Sequence, residues 1–246
     1  MTFCCSILLK SGIVGLSDTR ITSGNETTRA KKTFVVNRNK HSFYIMTSGL
    51  RSIRDKAITY FSEVVEEQDQ EFNKLFKAVN AFASQMRRVK EEDHKSLSES
   101  GLKFNLYAIV GGQLENDAES KVYMLYPEGN WIEVTQATPY IIIGNTGYGK
   151  PILDRSITFE ADIKYALKSA FLSFDGTYIS SNDVDYPIDV VIYLNNTYRI
   201  IEHRFEKEDL QDISRMWREK ISEAVEEIPE TWMNSILGKI NGSMKV

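Results

Sequence analysis

Residues 1–20 read MTFCCSILLKSGIVGLSDTR, and the organisation of the whole chain follows from this stretch. Two short apolar runs, Thr2 to Leu9 and Ile13 to Asp18, are separated by the turn pair Ser11-Gly12, which predicts a β-hairpin. The hairpin closes on Ser17-Asp18-Thr19-Arg20. A small hydroxyl residue, Thr2, directly follows Met1. Removal of Met1, generally favoured before small residues, makes Thr2 a nucleophile that carries its own base. The hydroxyl attacks and the free α-amine takes its proton, a known way to activate a weak nucleophile.

Further along, Thr33 to Val36 and Phe43 to Thr47 form a second predicted strand pair around the polar connector Asn37-Arg38-Asn39-Lys40. The period then changes. Ile53, Ala57, Ile58, Phe61, Val64 and Val65 recur at helical spacing, and Phe72, Leu75, Phe76, Val79, Phe82, Ala83 and Met86 repeat it after an acidic break. The charged, Ser-rich segment Arg87 to Gly101 reads as a solvated loop. Strands resume at Phe104 to Val110, Val122 to Tyr126, Trp131 to Val134 and Tyr140 to Ile143, with Gly111-Gly112 and Pro127-Glu128-Gly129 as turns. Helical segments follow from about Lys150 and from Phe159 to Phe171. A last hairpin, Ile188 to Leu194 and Tyr198 to Phe205, turns at Asn195-Asn196. The amphipathic stretch Glu208 to Glu227 closes the order.

Runs of strands alternating with paired helices predict an α+β fold. Two stacked antiparallel sheets would be covered by helices on both outer faces, a four-layer αββα sandwich in one domain over residues 1–246.

The bulk composition excludes several functions. A net charge of −4 leaves no basic face for nucleic acid. No apolar run approaches the roughly 18 residues of a membrane span, and Lys10 interrupts the first apolar stretch without a cleavage-site pattern after it. A cytoplasmic location is therefore expected. Cys4 and Cys5 are adjacent on a strand and face opposite ways, which opposes a mutual disulfide; a thiol nucleophile is disfavoured because small buried cysteines are common and no His is near in sequence. His41, His94 and His203 lack metal-ligand spacing, so neither a metal nor a cofactor is expected. Gly144, Gly149 and Lys150 match GxxxxGK, but Pro151 occupies the position where a phosphate loop needs Ser or Thr, and a parallel-sheet context is missing.

The opening stretch, its Asp-x-Arg ending, the block Ile143-Gly144-Asn145-Thr146-Gly147-Tyr148-Gly149-Lys150-Pro151-Ile152-Leu153-Asp154-Arg155, and Phe174-Asp175-Gly176-Thr177 followed by Pro187-Ile188-Asp189 together resemble the proteasome-type N-terminal nucleophile hydrolases. Within that family the likeness is to the bacterial proteasome-related group called Anbu, the ancestral beta subunit. The resemblance implies that Thr2 is the nucleophile. Lys32 would be the essential lysine, with Lys31 the weaker candidate because a one-residue slip turns a side chain to the other face. Asp18 would hold that lysine by a charge-assisted hydrogen bond, and the Gly49 N–H would serve the oxyanion. It also implies a homo-oligomer, a ring or an open spiral, acting on a peptide or amide substrate.

The chain departs from the proteolytic pattern in two places. Gly144-Asn145-Thr146 stands where active subunits have Gly-Ser-Gly. Ser180 and Asp183 stand where they have an Asp and a Ser three residues apart, an exchange of types. Asn145 or Thr146, with Ser180, Ser181 or Asp183, are the candidates to support the α-amine. Two further readings remain open: a proteasome-like assembly subunit without turnover, and an amidase of the same class acting on a small-molecule or isopeptide amide.

Overall fold

The computed structural model describes residues 2–23, 26–68 and 72–243. The chain divides into two compact units, the first ending at Lys207 and the second beginning at Glu208.

In the first unit, β1 (Phe3–Leu9) and β2 (Gly12–Asp18) form the expected hairpin. They lie at the centre of a five-stranded antiparallel sheet with β10 (Tyr140–Gly144), β11 (Ile188–Leu194) and β12 (Ile200–Phe205), in the order β10-β1-β2-β11-β12. A second antiparallel sheet runs in order through β5 (Thr33–Arg38), β6 (His41–Ser48), β7 (Tyr107–Leu114), β8 (Lys121–Leu125) and β9 (Trp131–Glu133). A short hairpin of β3 (Arg20–Ser23) and β4 (Glu26–Arg29), which the periodicity does not foretell, stands apart.

Strand alternation explains the packing. On β6, Tyr44 and Met46 join Cys4, Ile13, Ile109, Val191 and Tyr193 in a core built from both sheets. Phe43 and Ile45 point the other way. They join a core with α1 (Arg51–Gln68) and α2 (Leu75–Glu99), which supply Ile53, Phe61, Val79, Phe82 and Met86. There Phe61 stacks edge-on against Phe82 at 5.3 Å and Phe43 at 6.1 Å, the geometry that ring quadrupoles favour. On the other sheet, Phe3 meets Phe174 of α4 (Ile163–Ser180) edge-on at 6.1 Å, and α4 packs along β1 and β2. The short helix α3 (Lys150–Ser156) packs on α4. Strands β1, β2 and β6 are buried along their whole length, which is why their sequences run apolar rather than alternating.

Two expectations are corrected. Arg87 to Glu99 is helix, not loop, because α2 continues that far; only Ser100 and Gly101 of the expected loop lie outside it. Its Lys, Arg and Glu residues are good helix formers. Lys56 of α1 bridges to Glu92 at 2.7 Å and Asp93 at 2.8 Å, while Arg88 pairs with Glu92 at 3.0 Å. Gly111-Gly112 is not a turn either; both lie inside β7. A Cβ on Gly111 would come within 2.6 Å of the Tyr44 ring, so the glycine makes room for a fully buried tyrosine whose hydroxyl meets Ser6 Oγ at 2.5 Å.

The second unit holds nearly all of α5 (Lys207–Glu226), a 3₁₀ turn (Glu230–Met233) and α6 (Asn234–Ser243). Met216, Val225, Trp232 and Ile236 are each more than half exposed there. No described helix is long and apolar enough to cross a membrane.

Candidate active site

Thr2 immediately precedes β1 and is buried. Its carbonyl accepts the Asn145 N–H at 2.6 Å, and Phe3 pairs with Gly144 across the β1–β10 ladder. Gly144 has φ +91°, and a Cβ there would fall 1.9 Å from the Thr2 carbonyl oxygen. Only glycine allows this approach, so the Gly144-Asn145 bend fixes the backbone of Thr2.

Asp18 ends β2 beside it. Its Oδ1 accepts the Phe3 N–H at 2.8 Å and the Lys32 ammonium at 2.6 Å; Oδ2 accepts the Arg20 N–H at 3.1 Å. The side chains of Asp18 and Lys32 are 0% and 3% exposed. One carboxylate oxygen thus ties the residue after Thr2 to the lysine before β5. Burial pushes the Asp18 carboxyl above its ordinary pKa, against the pull of Lys32 and of the Phe3 and Arg20 N–H groups. Lys31 turns outward and pairs with Glu202 on the surface, as alternation along an extended segment requires.

Thr2, Lys32, Gly49 and Thr146 line one cleft of about 510 Å³. Gly49 follows β6 with φ +142°, and a Cβ there would come within 2.5 Å of the Asn105 carbonyl. Asn105 also accepts the Leu50 N–H at 3.0 Å. Arg20, Arg51 and Arg54 line the same cleft, and the sequence reading did not pick out the latter two as site residues. No sequence signal marked them, since arginines at a helix start are most often solvated.

The remaining candidates are placed differently. Asn145 reaches Thr2 through its backbone. Ser180 is the exposed last residue of α4. The half-buried Asp183 donates its N–H to Ser181 Oγ at 3.3 Å. Neither Ser180 nor Asp183 is among the residues lining the cleft. Met1 lies outside the described residues.

Cys4 and Cys5 are free and buried. Burial pushes the Cys4 thiol well up and the Cys5 thiol to about 12, so neither supplies a thiolate at neutral pH. Among the described residues no three His, Cys, Asp or Glu side chains group as metal ligands.

No family model matches the chain, and no curated protein matches it. Solved structures do. A structure of an Anbu (Gly-1) mutant from Hyphomicrobium sp. strain MC1 superposes with TM-score 0.87 at 28% identity, covering 94% of this chain and 99% of that one. The structure described as the helical assembly of the Anbu complex from Pseudomonas aeruginosa gives 0.88 at 26% identity, covering 93% and 97%. Anbu (ancestral beta-subunit) from Yersinia bercovieri gives 0.86 at 24% identity, covering 93% and 98%. The likeness to Anbu therefore extends over nearly the full chain, as the resemblance in sequence implies.

Proposed function

We propose, from the premise that this chain shares the Anbu fold, that it is an N-terminal threonine hydrolase cutting an amide bond through an acyl-ester on Thr2. In this reading the two sheets and their helices form a four-layer αββα sandwich, and the copies self-assemble as the Pseudomonas aeruginosa Anbu complex does. The observation that carries the proposal is the buried Asp18–Lys32 pair bound at 2.6 Å, whose shared oxygen also holds the Phe3 N–H, in a cleft lined by Thr2 and Gly49.

The chemistry follows from these groups. With Met1 gone, the α-amine of Thr2 takes the proton of its own hydroxyl as Oγ attacks the substrate carbonyl. An unperturbed α-amine titrates at roughly 7.7–8.0. A lysine ammonium nearby disfavours the protonated amine and lowers that value toward the operating pH. The oxyanion takes the Gly49 N–H, a contribution of about 3 kcal/mol when such a donor is well placed. The amine then hands its proton to the leaving nitrogen, and water releases the acyl group from Oγ.

Treating protein that lacks Met1 with a peptide epoxyketone or a β-lactone, followed by intact and peptide mass analysis, tests this. An adduct on Thr2 that disappears in Thr2→Ala is the expected result; an unmodified Thr2 overturns it. A second reading, an assembly subunit without turnover, draws on the placement of Ser180 and Asp183 away from the cleft lining. Met1 retained on the whole native population would favour that reading.

A further inference from the structure

We propose that the cleft beside Thr2 selects an acidic side chain, Asp or Glu, next to the bond under attack, and that Arg54 is the specificity-determining residue. The inference rests on the reading of Thr2 as nucleophile and goes beyond it by naming the substrate class.

Among the described residues, the cleft lining contains four cations, Arg20, Lys32, Arg51 and Arg54, and no Asp or Glu. This occurs in a chain whose net charge is −4, so the positive charge is local. Among the described residues these four cations form ion pairs with three carboxylates. Lys32 is held by Asp18 and Arg20 by Asp185 at 3.3 Å. Asp55 alone serves both Arg51, at 3.2 Å, and Arg54, at 2.6 Å. Four cations against three carboxylates leave an excess of one positive charge, and the shared carboxylate assigns it to the Arg51–Arg54 pair.

Exposure separates the two arginines. The Arg54 side chain is 11% exposed and so largely desolvated, while that of Arg51 is 54% exposed. Both Arg54 bonds, from Nε and Nη2, go to a single oxygen of Asp55. The guanidinium therefore lacks the two-oxygen fork that best satisfies it. Arg20 adds to the shortage of acceptors: its Nε is buried without a hydrogen-bond partner.

The arginines also run against the local rule for helices. They occupy the first turn of α1, where the backbone already presents positive charge and no residue is acidic; the carboxylate that meets them, Asp55, lies just beyond and is shared by both. Two cations at that end with one shared carboxylate favour a further anion. A substrate carboxylate entering beside Thr2 supplies that anion in a partly desolvated site, where charge-assisted bonds are strong.

The test compares covalent labelling rates of Thr2 with peptide epoxyketones that differ only in the residue adjoining the warhead: Glu, its neutral isostere Gln, Leu and Lys. A charge-assisted bond that Gln cannot match predicts Glu over Gln by about 10- to 100-fold, narrowing as salt is raised. In Arg54→Gln the Glu rate falls at least tenfold in this scheme, to within about threefold of Gln. Asp55→Asn, which removes the competing carboxylate, widens the Glu-to-Gln ratio. Thr2 labelled by every probe with Gln, Leu or Lys equal to or ahead of Glu overturns acidic selection and leaves the nucleophile standing. No labelling by any probe overturns the nucleophile reading and this inference with it.

Discussion

Asp18 does two tasks through one oxygen, and the cost of disturbing it follows from burial. Lys32→Met leaves a buried carboxylate without its ammonium, so a loss of about 3 kcal/mol in urea unfolding is expected. The same change should slow Thr2 labelling by about 10²- to 10⁴-fold, the range for a lost proton-transfer aid. Cys4 and Cys5 give a separate check. With both thiols buried and pushed upward, a thiol reagent at pH 8 is expected to label neither in native protein and both after unfolding; fast labelling of either would reopen the thiol nucleophile. Asp18 and Lys32 were singled out from sequence through the family resemblance, each at a predicted strand boundary, and the structure brings the two together at 2.6 Å. Lys31 against Lys32 is decided by alternation along the extended segment. Arg54 was not legible, since an arginine near a helix start looks like a solvated surface residue until the cleft is seen. Ser180, Asp183 and Asn145 sit at an element end or in loops, which lack a period by which to count.

Elements were legible where their period was strong. The first hairpin, the helices α1 and α2 and the last hairpin all follow from spacing. The far half of α2 escaped because charge and serine resemble a loop, while its helical state comes from ion pairs with another helix. That contact predicts a pH dependence. Hydrogen bonds from Lys56, then Tyr60 and Arg88, hold the Glu92 carboxyl down to about 2 from an ordinary 4.5. A lowered carboxylate contributes stability that is present above 4.5 and lost as pH falls toward 2. Glu92→Gln should therefore melt below the parent at pH 7, and the gap should close between pH 5 and pH 2; a gap independent of pH would contradict it. Gly111-Gly112 misled in the other direction, since a glycine pair marks a turn more often than a strand. The structural reason for Gly111 is the Tyr44 ring. Gly111→Ala forces that ring or the strand to move and should cost about 1–3 kcal/mol by thermal or urea unfolding.

At the scale of the whole molecule, the alternation of strand runs with helix pairs was enough to foretell a mixed fold with two antiparallel sheets, each five-stranded in the structure, though not the small β3–β4 hairpin. The pattern within one chain says which surfaces are buried by the chain itself; it does not say how copies meet. Thr2 is a buried residue held by hydrogen bonds to Asn145 and, through Phe3, to Asp18, and removing its hydroxyl changes no group that these bonds use. Thr2→Ala is accordingly expected to assemble as the parent does while losing all labelling. Sedimentation velocity across a range of concentrations checks this: both proteins should give species heavier than the 28.2 kDa chain, with matching distributions. A monomer at every concentration would remove self-assembly from the proposal. A parent that assembles while Thr2→Ala does not would show that the Thr2 hydroxyl also serves the assembly, contrary to what the hydrogen bonds around it predict.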